Sequence, residues 1–476
     1  MLLEQIYDPY LSQYAYLIGC PQTGEALIID AQRDIERYLE LAEANDLRIT
    51  AAAETHIHAD FLGGIRQFIR KHGAVRAYLS KEGGEDWQYE WAQGLDHVRL
   101  LEHGDVFEVG SVSVRAIHTP GHTPEHLSFL VIDGAHDNTA YGLVSGDFMF
   151  VGDVGRPDLL EEAAGEAGDR KTSAQTLYRS IEKFDELDDH IALLPGHGAG
   201  SSCGKSLGSI PFSTVGYEKR TNPSVRRFLQ GEKEAFLDEV LSGQPAPPPY
   251  FARMKNANRE GVELYDALPD PPRLKAEELS KILLDPSRSA SCIDVRADME
   301  AFMQRHLIGS IYAPFGREFS EAVGSYAPTD DPVHLLVDDP GQVQDCVRQL
   351  MRIGIDRIEG YALADDILGE LECNPLFRQI RVISMKDLDP AAGTVVDVRS
   401  AEEYEAAHVP GALNLPHTRI VADADRLPGR DTPLSVHCSS GDRASLATAA
   451  LARMGYAVTF AKGSLSDWKK QADRVA

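Results

Sequence analysis

The second half of this chain repeats itself. Ser291-Cys-Ile-Asp-Val-Arg296 is matched about 100 residues later by Thr394-Val-Val-Asp-Val-Arg399. In both places an aromatic residue then precedes a histidine by one helical turn, Phe302 with His306 and Tyr404 with His408. Each histidine opens a segment ending in proline, Pro314 or Pro416. Apolar runs follow at Val333–Val337 and Leu434–His437, each leading through a loop to a helical stretch that ends at Gly354 or Gly455. Such strand–helix alternation builds a parallel α/β domain. A period near 100 residues is domain duplication, because solenoid repeats run about 20 to 50.

At 476 residues the chain has room for about three domains. Gln244-Pro-Ala-Pro-Pro-Pro249 forbids helix and cannot donate to a sheet ladder, and Pro269-Asp-Pro-Pro272 is a second break. The expected division is a first domain over 1–243, a linker over 244–272, and the two copies over 273–372 and 373–476. In the first domain Leu27–Asp30, Ile49–Glu54, Val112–Ile117, Leu127–Ile132, Thr139–Val144 and Ile191–Leu194 read as strands, and Asp34–Asn45 as a helix.

Acidic residues outnumber basic ones 74 to 47, a net charge of −27 that repels nucleic acid and anionic membrane surfaces. No apolar run approaches the roughly 18 residues that span a bilayer, and MLLEQIYDPY lacks the basic start of a signal peptide. Six cysteines without paired spacing suit a reducing compartment. A cytoplasmic enzyme is expected, with no nucleic-acid or membrane partner and its oligomeric state open.

Four segments carry chemistry in the first domain: Thr55-His-Ile-His-Ala-Asp-Phe-Leu-Gly63, His118-Thr-Pro-Gly-His-Thr-Pro-Glu-His126, Ser145-Gly-Asp147 and Leu194-Pro-Gly-His197. Each sets His or Asp in a loop at a strand end, where rigid elements can aim several side chains at one metal ion. This order resembles the metallo-β-lactamase superfamily, whose fold is an αββα sandwich. Its thioesterases of the glyoxalase II type carry a further histidine where this chain has Phe61, and they bind two metals. The departure is similar to the persulfide dioxygenase branch, as is Val151-Gly-Asp-Val-Gly-Arg-Pro-Asp158. The resemblance implies one Fe(II) per chain on His56, His122 and Asp147, the two-histidine, one-carboxylate set of non-haem iron. His58, Asp60 and His197 would then orient those ligands or hold bound water. Cys203 is either a handler of persulfide sulfur or an inert loop thiol. Tyr217, Lys219, Arg220, Arg226 and Arg227 either seat the carboxylates of glutathione or form a solvated helix face.

The last copy resembles a rhodanese domain in Asp397-Val-Arg399, Glu403-Tyr404, His408 to Pro416, and His437-Cys-Ser-Ser-Gly-Asp-Arg-Ala444. A loop of Cys438, Ser439, Ser440, Gly441, Asp442 and Arg443 between strand and helix would turn backbone N–H groups inward and hold a cysteine persulfide. The first copy has Val337 at the cysteine position, followed by Asp338 and Asp339, and is rhodanese-like but without a catalytic thiol. Cys292 and Cys346 read as core.

The expected fold is therefore α/β and multidomain, a metallo-β-lactamase sandwich followed by two rhodanese-like parallel domains. The expected activity is oxidation of a low-molecular-weight persulfide, glutathione persulfide foremost, by O2 to sulfite. Sulfur transfer at Cys438 would form or use thiosulfate. The alternatives are a dinuclear thioester hydrolase with an accessory sulfurtransferase, and a metal-dependent scaffold that shuttles persulfide.

Overall fold

The inner strands of the first part of the chain are apolar on both faces, so both faces must be covered. β2 (Gln13–Cys20) is buried at every position, and β3 (Glu25–Ile29) at all but its first. The two-residue period sends Tyr16, Ile18, Leu27 and Ile29 to one side and Ala15, Leu17, Ala26 and Ile28 to the other. The first set meets Val114, Ala116, Phe129 and Val131 of a second sheet. The second set packs on Tyr38 and Ala42 of the helix Glu36–Ala44 and on Phe68 of the helix Ile65–Lys71. The far side of the second sheet packs Leu130, Leu143 and Leu193 on Leu177, Ile181 and Phe184 of the helix Arg170–Asp185. The result is the αββα sandwich that the motifs imply.

The computed structural model describes residues 1–159, 170–285, 289–369 and 376–475. Cys373 and the expected boundary at 372/373 lie outside them. The chain forms two units, Met1–Ala267 and Leu268–Ala476. In the first, one six-stranded sheet runs β1 (Leu2–Asp8), β2, β3, β4 (Arg48–Ala53), β5 (Arg76–Ser80), β6 (Val98–Leu101). The other runs β12 (Ser213–Thr214), β11 (Ala192–Pro195), β10 (Ala140–Gly146), β9 (Leu127–Asp133), β8 (Val112–His118), β7 (Val106–Val109). The strands expected from sequence fall within two residues of these bounds. No helix among the described residues is long and apolar enough to cross a membrane.

The segment 244–272 differs from an extended linker. Phe251–Glu260 is a helix whose Phe251, Met254, Lys255 and Asn258 are buried at helical spacing. The Asn258 side chain donates to the carbonyls of His58 (2.8 Å) and Phe61 (2.7 Å) and accepts from the Gly63 amide (2.8 Å). Residues up to Ala267 therefore belong to the first unit.

The second unit contains two parallel sheets. The first copy orders β15 (Ile311–Tyr312), β13 (Ser291–Asp294), β16 (Val333–Val337), β17 (Ile358–Leu363). The last orders β19 (Arg381–Ser384), β23 (Val458–Lys462), β22 (Leu434–His437), β20 (Thr394–Asp397), β21 (Leu413–Asn414). A short β14 (His306–Leu307) pairs with β18 (Phe377–Arg378). The repeated Asp-Val-Arg motif is a buried ion pair at the end of β13 or β20. Arg296 donates to both oxygens of Asp294 (2.9 and 2.7 Å) and to the Arg305 carbonyl (3.0 Å). Arg399 repeats this on Asp397 and on the Ala407 carbonyl. The aromatic–histidine motif is a ring stack, Phe302 on His306 and Tyr404 on His408, with each histidine Nδ1 donating back one turn.

Phe129 lies fully buried between the two sheets of the first unit. Phe129→Ala should cost about 3–5 kcal/mol in the unfolding transition of that unit, measured by denaturant titration.

Candidate functional site: a metal centre and a cysteine loop

The four histidine and aspartate segments meet at one end of the sandwich because each follows the end of a strand. His56 comes after β4, His122 lies between β8 and β9, Asp147 follows β10 and His197 follows β11. Two glycines let them close up. Gly146 has φ +52°, and a Cβ there would lie 2.6 Å from His126 Nε2 and Thr55 Oγ1. A Cβ on Gly196 would lie 2.6 Å from Asp147 Oδ1.

His56, His122 and Asp147 converge. Asp147 Oδ2 lies 3.9 Å from His56 Nε2 and 3.5 Å from His122 Nε2, all three residues being buried. The His122 Nδ1 donates to the Arg156 carbonyl (3.0 Å), which leaves the Nε2 lone pair facing the cluster. Thr55 Oγ1 donates to Asp30 (2.9 Å) and so accepts from His56 Nδ1 (2.9 Å), with the same outcome. Burial holds both imidazoles below their ordinary range, neutral and able to ligate. Asp147 Oδ2 is buried and accepts no hydrogen bond. A buried carboxylate oxygen without a donor, facing two imidazole lone pairs, fits a metal ion held by these three residues.

Asp147's other oxygen is occupied. Oδ1 accepts from His197 Nδ1 at 2.7 Å, while His197 Nε2 donates to Asp60 Oδ2 at 2.9 Å. Burial opposes charge on His197, but Asp147, Cys203 and Asp60 around it raise its pKa well above the usual value. Both ring nitrogens therefore serve as donors. Asp60, His197 and Cys203 form a second group of close donor atoms, buried like the first. Its imidazole already binds two carboxylates, and Phe61 stands in the loop as a ring stacked on His58 at 4.3 Å. His58 Nε2 lies 3.2 Å from Asp30 Oδ1, its Nδ1 is buried without a hydrogen-bond partner, and its ring centre is 4.2 Å from that of His56.

Cys203 is brought to this site, but its thiol is pushed up to about 12 by burial and then by the Asp147 carboxylate. That opposes a thiolate at neutral pH. In the basic cluster Lys219 pairs with Asp185 and Asp189, Arg220 with Asp189, and Arg227 with Glu232 and Glu239. That is a solvated, ion-paired helix face. Sequence reasoning missed Asp30, Thr55 and His126. His126 accepts from the Asp147 amide (3.0 Å) and stacks on His56 with ring centres 5.1 Å apart. Its place at the end of the second histidine segment was the available signal.

In the last copy Cys438 follows β22 and is fully buried. Gly441, at φ +116°, lets the loop turn into the helix Asp442–Arg453, and its amide donates to Cys438 Sγ at 3.1 Å. Ser440 donates to Asp442 (2.7 Å). Arg443 forms a two-pronged pair with Glu403 (2.6 and 3.0 Å) and also donates to Ser439 (2.9 Å), which braces the loop from its far end. The loop after β16 in the first copy has Val337 there, and Asp339 caps its own turn through the Gly341 amide (2.8 Å).

Thr55→Val keeps the shape of that side chain but removes the acceptor of the His56 Nδ1 proton. It should weaken metal binding about 10- to 100-fold, read by competition with a chelator.

Residues 9–197 match the metallo-beta-lactamase superfamily, and residues 382–471 match the rhodanese-like domain. A metallo-beta-lactamase of solved structure from Staphylococcus aureus subsp. aureus COL is 42% identical with a TM-score of 0.68, over 76% of this chain and 99% of its own. The mitochondrial persulfide dioxygenase ETHE1 of Bos taurus is 28% identical over 229 residues, 47% of this chain and 75% of its own. The hydroxyacylglutathione hydrolase GloC of Haemophilus influenzae is 29% identical over 211 residues, 42% of this chain and 86% of its own. By these matches, and by the ligand cluster and cysteine loop that they cover, the chain belongs to the metallo-beta-lactamase superfamily, with persulfide dioxygenases among its relatives, and its sandwich is followed by a rhodanese domain.

Proposed function

We propose that the first unit oxidises a small thiol persulfide, glutathione persulfide foremost, with O2 at a single Fe(II). In the same reading the second unit moves sulfur through a persulfide on Cys438, and the protein works in the cytoplasm. The observation that carries this reading is the division of labour on Asp147. One oxygen is free for a metal and the other is held by His197, itself bound to Asp60, so the carboxylate is not available to bridge two ions. Two imidazoles and one carboxylate on Fe(II) would leave positions open for O2 and substrate together. Thr55 and the Arg156 carbonyl fix the two histidine rings, while Phe61 stacks on His58 and Phe150 meets His197 edge-on. The overall reaction, RSSH + O2 + H2O → RSH + SO3²⁻ + 2H⁺, releases sulfite.

The glyoxalase-like reading draws on the second donor group and on a hydrolase relative at 29% identity, against 28% for the persulfide dioxygenase. Metal analysis with oxygen-electrode assays separates the two. We expect about one iron per chain, and His122→Ala to lose both iron and O2 uptake. Two tightly bound zinc ions, thioester hydrolysis and no O2 consumption would replace this proposal with the hydrolase.

In this reading the two units share a chain because Cys438 takes sulfane sulfur from the small persulfide, Cys–SH + RSSH → Cys–SSH + RSH, and sulfite then attacks it, Cys–SSH + SO3²⁻ → Cys–SH + S2O3²⁻. Tethering keeps the two sites at roughly millimolar effective concentration. With persulfide and O2, the intact chain should yield thiosulfate and Cys438→Ser should yield sulfite, with iron content unchanged. Sulfite alone from both proteins would show that sulfur does not flow in this direction.

A further inference from the structure

His56 is pinned on both sides by one short stretch of chain. The peptide group before it carries the Thr55 carbonyl, which accepts from the Leu127 amide at 2.7 Å. The peptide group after it carries the Ile57 amide, which donates to Glu125 Oε1 at 2.7 Å. Between these two anchors His126 stacks on the His56 ring. Peptide groups are planar, so the two that flank a residue fix its φ and ψ, and with them the direction in which its side chain leaves the backbone.

One of the two anchors is a side chain. Ile57 lies past the end of β4, and the Glu125 carboxylate stands where a neighbouring strand's carbonyl would otherwise meet its amide. Glu125 is fully buried, and the turn after β5 closes over it: a Cβ on Gly83, at φ +90°, would lie 2.8 Å from Glu125 Cβ. Burial pushes the Glu125 carboxyl up to about 7, against the pull of the Ile57 amide. Ionised, or protonated on Oε2, the group accepts through Oε1, and a neutral amide side chain can do the same. Lys255, buried on the helix Phe251–Glu260, acts on the same carboxylate through its charge. Two roles therefore have to be told apart, acceptor for Ile57 and counter-ion for Lys255.

We propose that Glu125 is a positioning residue of the metal centre: by holding the Ile57 amide it sets the angle at which His56 presents Nε2 beside His122 and Asp147. The segment that supplies His122 thereby also orients His56, and the two imidazoles are aimed together. The inference rests on the three-residue metal site and not on whether that site oxidises a persulfide or hydrolyses a thioester.

The test uses Co(II) added to the metal-free full chain. Competition with a chelator gives its affinity, and its visible absorption bands report the number and geometry of its ligands. Glu125→Met keeps the bulk of the side chain and offers no oxygen, while Glu125→Gln keeps an acceptor and removes the charge. The Met variant should bind Co(II) at least about 10-fold more weakly with altered bands, and the Gln variant should stay within about threefold of wild type with its bands unchanged. Hydrogen exchange of the metal-free wild-type chain adds an arm that needs no substitution, and there the Ile57 amide should exchange slowly. Three results would overturn the proposal: wild-type affinity and bands in the Met variant, a loss in the Gln variant as large as in the Met variant, or rapid exchange at Ile57. The second of these would assign Glu125 to the charge of Lys255 instead. None of the readouts involves O2, so a chain that behaves as expected here and oxidises no persulfide would refute the proposed activity and leave Glu125 its role.

Discussion

A single carboxylate organises the first unit. Asp147 is buried where an ionised acid is costly, yet His197 holds it well below the usual carboxylate range against that burial. The imidazolium takes one oxygen and leaves the other bare. Everything nearby serves that asymmetry: His126 fixes the backbone from which Asp147 extends, Gly146 and Gly196 let the strand ends approach, and Asp60 secures the far side of His197. A neutral His197 could donate to only one of its two carboxylates, Asp147 or Asp60, and its other nitrogen would become an acceptor. In the proposed single-metal reading, hydrogen bonding to Asp147 would count as much as the phenyl ring at Phe61.

The second unit is governed by a different constraint, the buried Asp–Arg pair. Removing one member of such a pair strands the other charge, at a cost of about 3–5 kcal/mol. Both copies retain it, together with the ring stack and the strand order around it. The loop that carries chemistry lies at the end of the neighbouring strand and contributes little to that frame. A copy with valine rather than cysteine at that place, as at Val337, can therefore keep the same frame.

Much of this could be read along the chain, and the exceptions have physical causes. Strands were legible because hydrophobic runs are a local signal, and the His and Asp segments because they sit in loops at strand ends. The choice of His56, His122 and Asp147 among them, which the structure brings together, came from the family resemblance. The hydrogen-bond partners of those ligands were not legible. The Arg156 carbonyl that orients His122 has no side-chain signature, and Asp30 reaches Thr55 and His58 from another strand. Arg443 reads as a cation of the anion-holding loop, but in space it meets Glu403, which also caps the helix Ala401–Ala406 through Ser400. The prolines after Gln244 were correctly read as a break in helix. The helical period just beyond them, Phe251, Met254, Lys255 and Asn258, was overshadowed by that break.

Asn258 gives the last of these a practical meaning. Three hydrogen bonds tie it to the backbone on which His58, Phe61 and Gly63 sit, so the loop beginning at His56 is stapled by a residue that arrives some 200 positions later. A fragment cut at the proline stretch would keep every proposed ligand and lose its clamp. It would report a looser centre than the parent molecule has, and the difference would be mistaken for a property of the ligands. The smallest faithful piece of the sandwich extends to Ala267.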